Sequence, residues 1–291
     1  MAWRPTLNRR AVLGGLAAAG TVAGFARPAT GKGPIRFGLT PVFVTSDLAL
    51  LAALKTYMEQ ATGRPVQLVK RRTYQEITAL LISRQLDAAW ICGYPFVAYR
   101  DALGLIAVPV WKGQTQYQSY LIARDDLSAH NLSDLRDTVH AFSDPDSNSG
   151  YLVTRAALLG LGTTPEVFFR KSFFTYGHRN VIRAVASGFA SSGSVDGYVY
   201  EVLRETEPDN VRSVHIVGRS EWLGFPPIAC PAGEAFSETT TAIQRALLTM
   251  ADDAHGRVVL SILRLDGFRT EKPGHFDGIA AKMRFVRGGA Q

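Results

Sequence analysis

After residue 34, short β-branched or apolar runs alternate with longer stretches of helical period along most of the chain, and few architectures accept that order. "IRFGL" predicts a strand, and "SDLALLAALKTYMEQATG" predicts a helix capped by Ser46 and closed at Gly63. "VQLVK" is the next strand. Thr73-Tyr-Gln-Glu76 then has the spacing of a capping box, in which the Thr hydroxyl and Glu carboxylate satisfy each other's orphan backbone N–H groups, and it opens the helix "YQEITALLISRQ". "DAAWI" and "LIAVPVW" follow as strands. Such alternation predicts a largely parallel α/β sheet with helices on both faces.

A second series begins after "QTQYQSYLIARDDL". Here "TVHAF", "KSFFT" and "VDGYVY" read as strands, separated by the helices "SGYLVTRAALLGLG" and "HRNVIRAVASGF". From about Gly224 the tail returns to helices, "SETTTAIQRALLTMADD" and "HGRVVLSILRLDGF". No low-complexity linker or long structureless loop divides the chain into independent domains. Two lobes joined by crossing strands fit better, with residues 33–118 starting the first, 119–222 forming the second, and 223–291 returning to the first.

The formal charge of +7 suggests nucleic acid or a membrane surface until it is located along the chain. Residues 1–46 hold Arg4, Arg9, Arg10, Arg27, Lys32 and Arg36 and no acid. This basic start leads into "AVLGGLAAAGTVAGFA", a short apolar run ending in Gly24-Phe25-Ala26, a small-x-small cleavage pattern. Residues 1–26 therefore read as an export signal, the alternative being an uncleaved anchor. Arg9-Arg10 ahead of "AVLGG" resembles a twin-arginine signal, and the general secretory route stays open. Cleavage would remove three arginines and no acid, leaving a mildly basic chain of +4. With no basic run longer than Lys70-Arg71-Arg72 and no recognition-helix or zinc-finger spacing, nothing points to nucleic acid.

In the centre of the chain, "DPDSNSG" ends a strand and begins a helix. The first N–H groups of a helix carry partial positive charge and suit an oxyanion, and Ser147, Asn148 and Ser149 can add neutral donors at the same point. Asp, Ser and Asn are also what any helix start prefers, so the turn alone does not decide between a cap and a site. His178 lies at the next strand-to-helix junction, and Asp196 at the start of the strand after it. In a parallel α/β sheet such loops gather at one edge, where ligands bind.

These segments resemble the periplasmic solute-binding proteins of ABC importers, in the phosphate/phosphite/phosphonate-binding branch. The resemblance covers roughly residues 35–270. It rests on "FGLTPV", on "YQEITALLISRQLDAAWICGYPFV", on "LSDLRDTVHAFSDPDSNSGYLVTRAAL" and on "GHRNVIRAVASGFASSGSVDGYVYEVL", in the family's order. It implies a type II periplasmic-binding fold, two α/β lobes with a ligand cleft between them, closing on one small oxyanion. It also implies that Ser147, Asn148, Ser149 and the Gly150 amide form the anion nest, with His178 and Asp196 opposite and Tyr94 and Phe43 reaching in from the first lobe. Asp196 beside an anion makes sense if the ligand keeps and donates a proton, or if Asp196 orients a protonated His178.

Two departures bear on the ligand: Asn148 stands where the family has Ser or Thr, and "FASSG" lengthens the turn before "SVDG". Cys92 would sit on the first lobe's ligand loop, either as a small buried hydrophobe or as a soft-metalloid contact. A similar subgroup senses arsenite and signals to a membrane histidine kinase. Cys92 and Cys230 could bridge or stay free.

The expected function is capture of a phosphonate- or phosphite-like oxyanion in the periplasm by a monomer that serves an ABC permease. The alternatives are a ligand sensor partnered with a histidine kinase and, further off, a secreted hydrolase. Against catalysis, there is no Gly-x-Ser-x-Gly elbow, and no histidine pair or Cys/His cluster has metal-ligand spacing, so neither cofactor nor metal is expected.

Overall fold

The structure, a computed structural model, describes residues 33–40 and 48–289. The export signal, the Ser46 cap and Phe43 fall outside the described residues. In chain order the strands are β1 (Ile35–Leu39), β2 (Val66–Lys70), β3 (Ala88–Trp90), β4 (Leu103–Val110), β5 (Gln116–Tyr117), β6 (Ser119–Arg124), β7 (Val139–Phe142), β8 (Lys171–Phe174), β9 (Ser192–Asp196), β10 (Val214–Arg219), β11 (Leu223–Gly224), β12 (Ile228–Pro231) and β13 (Gly267–Arg269). The α-helices are α1 (Leu48–Thr62), α2 (Tyr74–Ile82), α3 (Gly93–Ala98), α4 (Val153–Gly160), α5 (Pro165–Phe168), α6 (His178–Ala186), α7 (Gly197–Thr206), α8 (Glu238–Leu248), α9 (Ala254–Leu263) and α10 (Asp277–Gly288).

One sheet has the order β13-β4-β12-β3-β1-β2, the other β10-β6-β9-β7-β8. The chain crosses between them twice, through β5 and β11, which pair antiparallel with Leu223 opposite Tyr117. Both sheets are mixed, which corrects the expectation of largely parallel sheets. In the first, β1 runs parallel to β2 and β3, but β12 is antiparallel to β3 and β4. The returning chain reaches β12 within a few residues of β11. A parallel neighbour would need a crossover of a dozen residues or more. In the second, β7 is parallel to β8 and β9, while β6 is antiparallel to β9 and β10.

Local signals explain most boundaries. Thr73 and Glu76 form the reciprocal capping box that starts α2, and Gly63, at φ 65°, takes the left-handed conformation that ends α1. Leu50, Leu54, Tyr57 and Met58 place the buried stripe of α1 at helical spacing against the first sheet. Each such side chain removed from water stabilises the fold by about 1.5–3 kcal/mol.

"VDGYVY" is not a strand. The strand is "SGSVD", and Asp196 at its end caps α7, accepting the N–H groups of Tyr198 (2.9 Å) and Val199 (3.3 Å). The strand propensity of Tyr and Val loses there to a strong N-cap. The tail also holds α10, which the two helices expected after Gly224 do not include. Among the described residues, no helix is long and apolar enough to cross a membrane.

Candidate functional site

The carboxyl end of β7 leads into Ser143-Asp144-Pro145-Asp146-Ser147 and then a π-helical turn, Asn148–Leu152, that runs on into α4. Three contacts fix this turn. Ser147 Oγ accepts the Gly150 N–H at 2.9 Å, the Ser143 N–H donates to the Gly150 carbonyl at 3.2 Å, and Ser119 Oγ of β6 donates to the Ser149 carbonyl at 2.6 Å. A Cβ at position 150 would lie 1.8 Å from Ser143 Oγ, so this close approach requires glycine.

The turn meets residues of the other sheet's side directly. The Asn148 N–H donates to Cys92 Sγ at 3.3 Å, and Asn148 Nδ2 donates to the Tyr117 hydroxyl at 2.9 Å. Tyr117 comes from the crossing strand β5 and is fully buried. Burial holds its phenol well above the ordinary tyrosine range.

His178 opens α6, and its ring is 1% exposed. Its Nδ1 accepts the backbone N–H of Asp196 at 3.1 Å, and its Nε2 lies 3.2 Å from the Tyr74 hydroxyl. Burial pushes its pKa down to about 3, so the ring is neutral at physiological pH. With Nδ1 accepting, the one ring proton sits on Nε2 and is donated to the Tyr74 oxygen. The Tyr74 hydrogen is thereby free to point at a third group, making Tyr74 an oriented neutral donor. A protonated His178 oriented by the Asp196 carboxylate, one of the two expected arrangements, is not formed: the ring is kept neutral by burial and meets the backbone of Asp196.

The Asp196 carboxyl is 1% exposed, and burial pushes its pKa up to about 7, only partly offset by the N–H groups of Val199 and Tyr198. Those N–H groups occupy Oδ1. Oδ2 has no hydrogen-bond partner, and neither do Ser143 Oγ, Asn148 Oδ1 and Ser149 Oγ, all buried. A buried polar group without a partner costs about 1–3 kcal/mol. Four on this turn and the neighbouring strand end mark a place built to be completed by something else. Tyr74 meets His178, His178 meets Asp196, and Cys92 meets Asn148 of the turn, which places the tyrosine, the carboxyl and the thiol in one cluster. The cluster contains no lysine or arginine.

Among the residues singled out from sequence, Ser147, Asn148, Ser149, Gly150, His178, Asp196 and Cys92 come together here. Tyr94 does not join them. It is half-buried in a separate pocket of about 240 Å3 with Pro145, Tyr151, Leu152, Arg155 and Arg287. The backbone of Tyr94 stays against the Cys92 thiol, and only its side chain turns to the other pocket. Sequence reasoning missed Tyr74 and Tyr117. The available signal for Tyr74 was its place directly after the capping Thr73, at a helix start facing the same sheet edge.

Cys92 and Cys230 are both buried and free, so they do not bridge. Cys230 lies in β12 against the Gly104 carbonyl. Burial pushes the Cys92 thiol up to about 12, so it is a neutral thiol. Among the described residues, no group of three or more His, Cys, Asp or Glu side chains is arranged to hold a metal ion.

A structure of a binding protein component of an ABC phosphonate transporter from Pseudomonas aeruginosa superposes with a TM-score of 0.81 at 21% identity, covering 89% of this chain and 88% of that one. PhnD1 from Prochlorococcus marinus, solved in complex with methylphosphonate, gives a TM-score of 0.78 at 15% identity, covering 87% and 98%. These likenesses show the two-lobed periplasmic-binding fold. In sequence, the phosphate-import protein PhnD of Mycolicibacterium smegmatis is 28% identical over 173 residues, 55% of this chain and 54% of that protein. The alignment thus spans about half the length of this curated relative. A family model described as "ABC transporter, phosphonate, periplasmic substrate-binding protein" matches residues 37–275. The chain belongs to the family of periplasmic substrate-binding proteins of phosphonate ABC transporters.

Proposed function

We propose that this protein captures a small phosphorus oxyanion, of the phosphonate or phosphite kind, by closing its two lobes on it in the periplasm, and that as a monomer it delivers the anion to an ABC permease. The observation that carries this reading is the set of four partnerless buried atoms around a turn of neutral donors. A charged ligand held by several neutral groups needs no bulky counterion. Asp196 Oδ2 narrows the choice further. Between an ionised carboxylate and a bound oxyanion there must be a shared proton, which a P–OH group or the protonated Asp196 supplies. Sulfate and sulfonates bring no such proton near neutral pH and would depend on the protonated Asp196 for it.

The arrangement supports binding rather than catalysis. Ser147 Oγ is engaged by the Gly150 N–H, and both nitrogens of His178 are engaged by groups other than a serine. No serine of the anion turn therefore has a base in position to activate it.

Thermal unfolding of residues 27–291 with methylphosphonate, phosphite, phosphate, sulfate and arsenite tests the reading. A ligand at about 100 times its Kd stabilises by about 2.7 kcal/mol, a rise in midpoint of roughly 5–10 °C. A rise with a phosphorus oxyanion, larger than any with sulfate, is expected. A rise with arsenite alone, lost in Cys92→Ser, would replace the importer reading by metalloid sensing.

A further inference from the structure

Five residues that make none of the anion-site contacts join the two sides of the cleft around one short segment, the start of α2. The Arg72 guanidinium lies 5.4 Å from the centre of the Tyr176 ring. The Tyr74 N–H donates to Asp144 Oδ2 at 3.2 Å, and the Gln75 side chain lies beside the Asp146 carboxyl. Arg72 and Gln75 precede β3 of the first sheet. Asp144 and Asp146 follow β7, and Tyr176 follows β8, both strands of the second. Three points thus connect residues 72–75 to two loops of the opposite lobe. Tyr176 is also held at φ 55°, a left-handed conformation that a bulky residue adopts only when its surroundings compensate. The ring-to-guanidinium contact is one such compensation, and Tyr176 stands two residues before His178.

We propose that the first turn of α2 is a clasp: Arg72, Gln75, Asp144, Asp146 and Tyr176 are positioning residues that stabilise the closed lobes and so set affinity without touching the ligand. Opening the cleft would break all these contacts together, because they join different lobes, whereas the Thr73–Glu76 capping box within α2 would survive. The clasp also fixes the backbone of Tyr74, whose hydroxyl faces His178. This inference rests on the reading of the protein as a receptor that closes.

The test uses Arg72→Ala, Tyr176→Ala, Tyr176→Phe and the double variant Arg72→Ala/Tyr176→Ala in the mature chain. Methylphosphonate affinity and dissociation rate are measured, together with energy transfer between labels at Gln85→Cys and Arg170→Cys, exposed positions on opposite lobes. Arg72→Ala and Tyr176→Ala should each raise Kd about two- to fivefold, through faster dissociation. The double variant should lose no more than the worse single one, Tyr176→Phe should bind as the unmodified protein does, and the midpoint of free protein should stay put. Gln75→Ala should cost about twofold.

Unchanged affinity and closed fraction in both alanine variants would overturn the clasp. So would additive losses, or a Tyr176→Phe as weak as Tyr176→Ala. If the unmodified protein does not bind methylphosphonate, that ligand reading fails. Energy transfer in the free protein then decides the clasp alone: a closed fraction that falls in Arg72→Ala supports it, and one that does not change rejects it.

Discussion

Two histidines of the second lobe, one in β7 and one opening α6, are both buried with the same depressed pKa of about 3, yet they belong to opposite kinds of polar cluster. His140, in β7, bonds Ser192 Oγ at 2.8 Å and Ser194 Oγ at 2.9 Å, and Ser194 continues to Thr154 Oγ1 at 2.6 Å. Its ring stacks on Phe169 at 4.2 Å. No side-chain atom of that cluster lacks a partner, and every partner lies in the same lobe. His178 reaches across to Tyr74, and the atoms around it include four without partners. Burial and pKa shift therefore do not distinguish a site from a scaffold here. What distinguishes them is incompleteness across the cleft.

The largest expected effect tests the incomplete cluster. Ser149→Ala combined with His178→Ala removes one partnerless buried hydroxyl of the proposed site and the ring that orients Tyr74. Hydrogen bonds to a charged group are worth about 1.5–3 kcal/mol each, so the pair should weaken oxyanion binding by two orders of magnitude or more. Titration calorimetry reads this, with circular dichroism to show that the fold persists. Binding within tenfold of the unmodified protein would move the site elsewhere.

The complete cluster should respond in the opposite currency. His140→Ala leaves Ser192 Oγ unpaired and takes one of the two partners of Ser194 Oγ, beside a new cavity, at a cost of about 2–4 kcal/mol. At roughly 2–4 °C per kcal/mol, the melting midpoint should fall by about 5–15 °C while Kd changes by less than twofold. If affinity fell instead, the two clusters would be one functional unit.

This contrast explains what the sequence could reveal. Ser147–Gly150 was legible as a strand-to-helix turn with neutral donors, and as a candidate site only beside residues at the same sheet edge. His178 and Asp196 were legible as residues at the same sheet edge. The role of Asp196 was only half legible, because "GYVY" has strand composition and hid the cap that ends β9. Tyr74 and Tyr117 were not legible as site residues. A tyrosine after a capping threonine, or in a short strand, becomes a site residue only when the lobes approach, and that is a tertiary fact. Tyr94 shows the converse: two positions from Cys92 in sequence, it faces another pocket. The antiparallel strands of the first sheet were hidden because β12 and β13 are only 4 and 3 residues long.

A smaller effect separates the clusters by pH. The pKa of Asp196 rises from 3.8 when exposed to about 7 in the fold, so between those values the folded protein holds a proton that the unfolded chain releases. The stability this contributes is present in full below about pH 4 and is lost as pH rises through 7. Ligand-free protein should therefore lose stability relative to Asp196→Asn by on the order of 1 kcal/mol per pH unit across that window, and level off above it. Melting midpoints of the two proteins at matched pH check this. His140, whose depressed pKa makes stability rise with pH below 6.5, shifts the slope of each protein alone, but His140→Ala should leave the difference between them in place; no such difference would mean that Asp196 does not carry it.

The smallest expected effect concerns Cys92, the residue at which the two ligand readings part. Its Sγ accepts the Asn148 N–H, so it helps join the lobes, but as a neutral thiol it offers an oxyanion little. Cys92→Ser keeps an acceptor at nearly the same place with a shorter bond to carbon. For a phosphorus oxyanion the change in Kd should stay within about threefold, less than the loss of one ordinary hydrogen bond. A soft metalloid instead needs sulfur itself, which oxygen does not replace. The same substitution thus has a small effect in an oxyanion receptor and a decisive one in a metalloid sensor. Its weight relative to Ser149→Ala measures how far the incomplete cluster is built from hydroxyls and how far from the thiol.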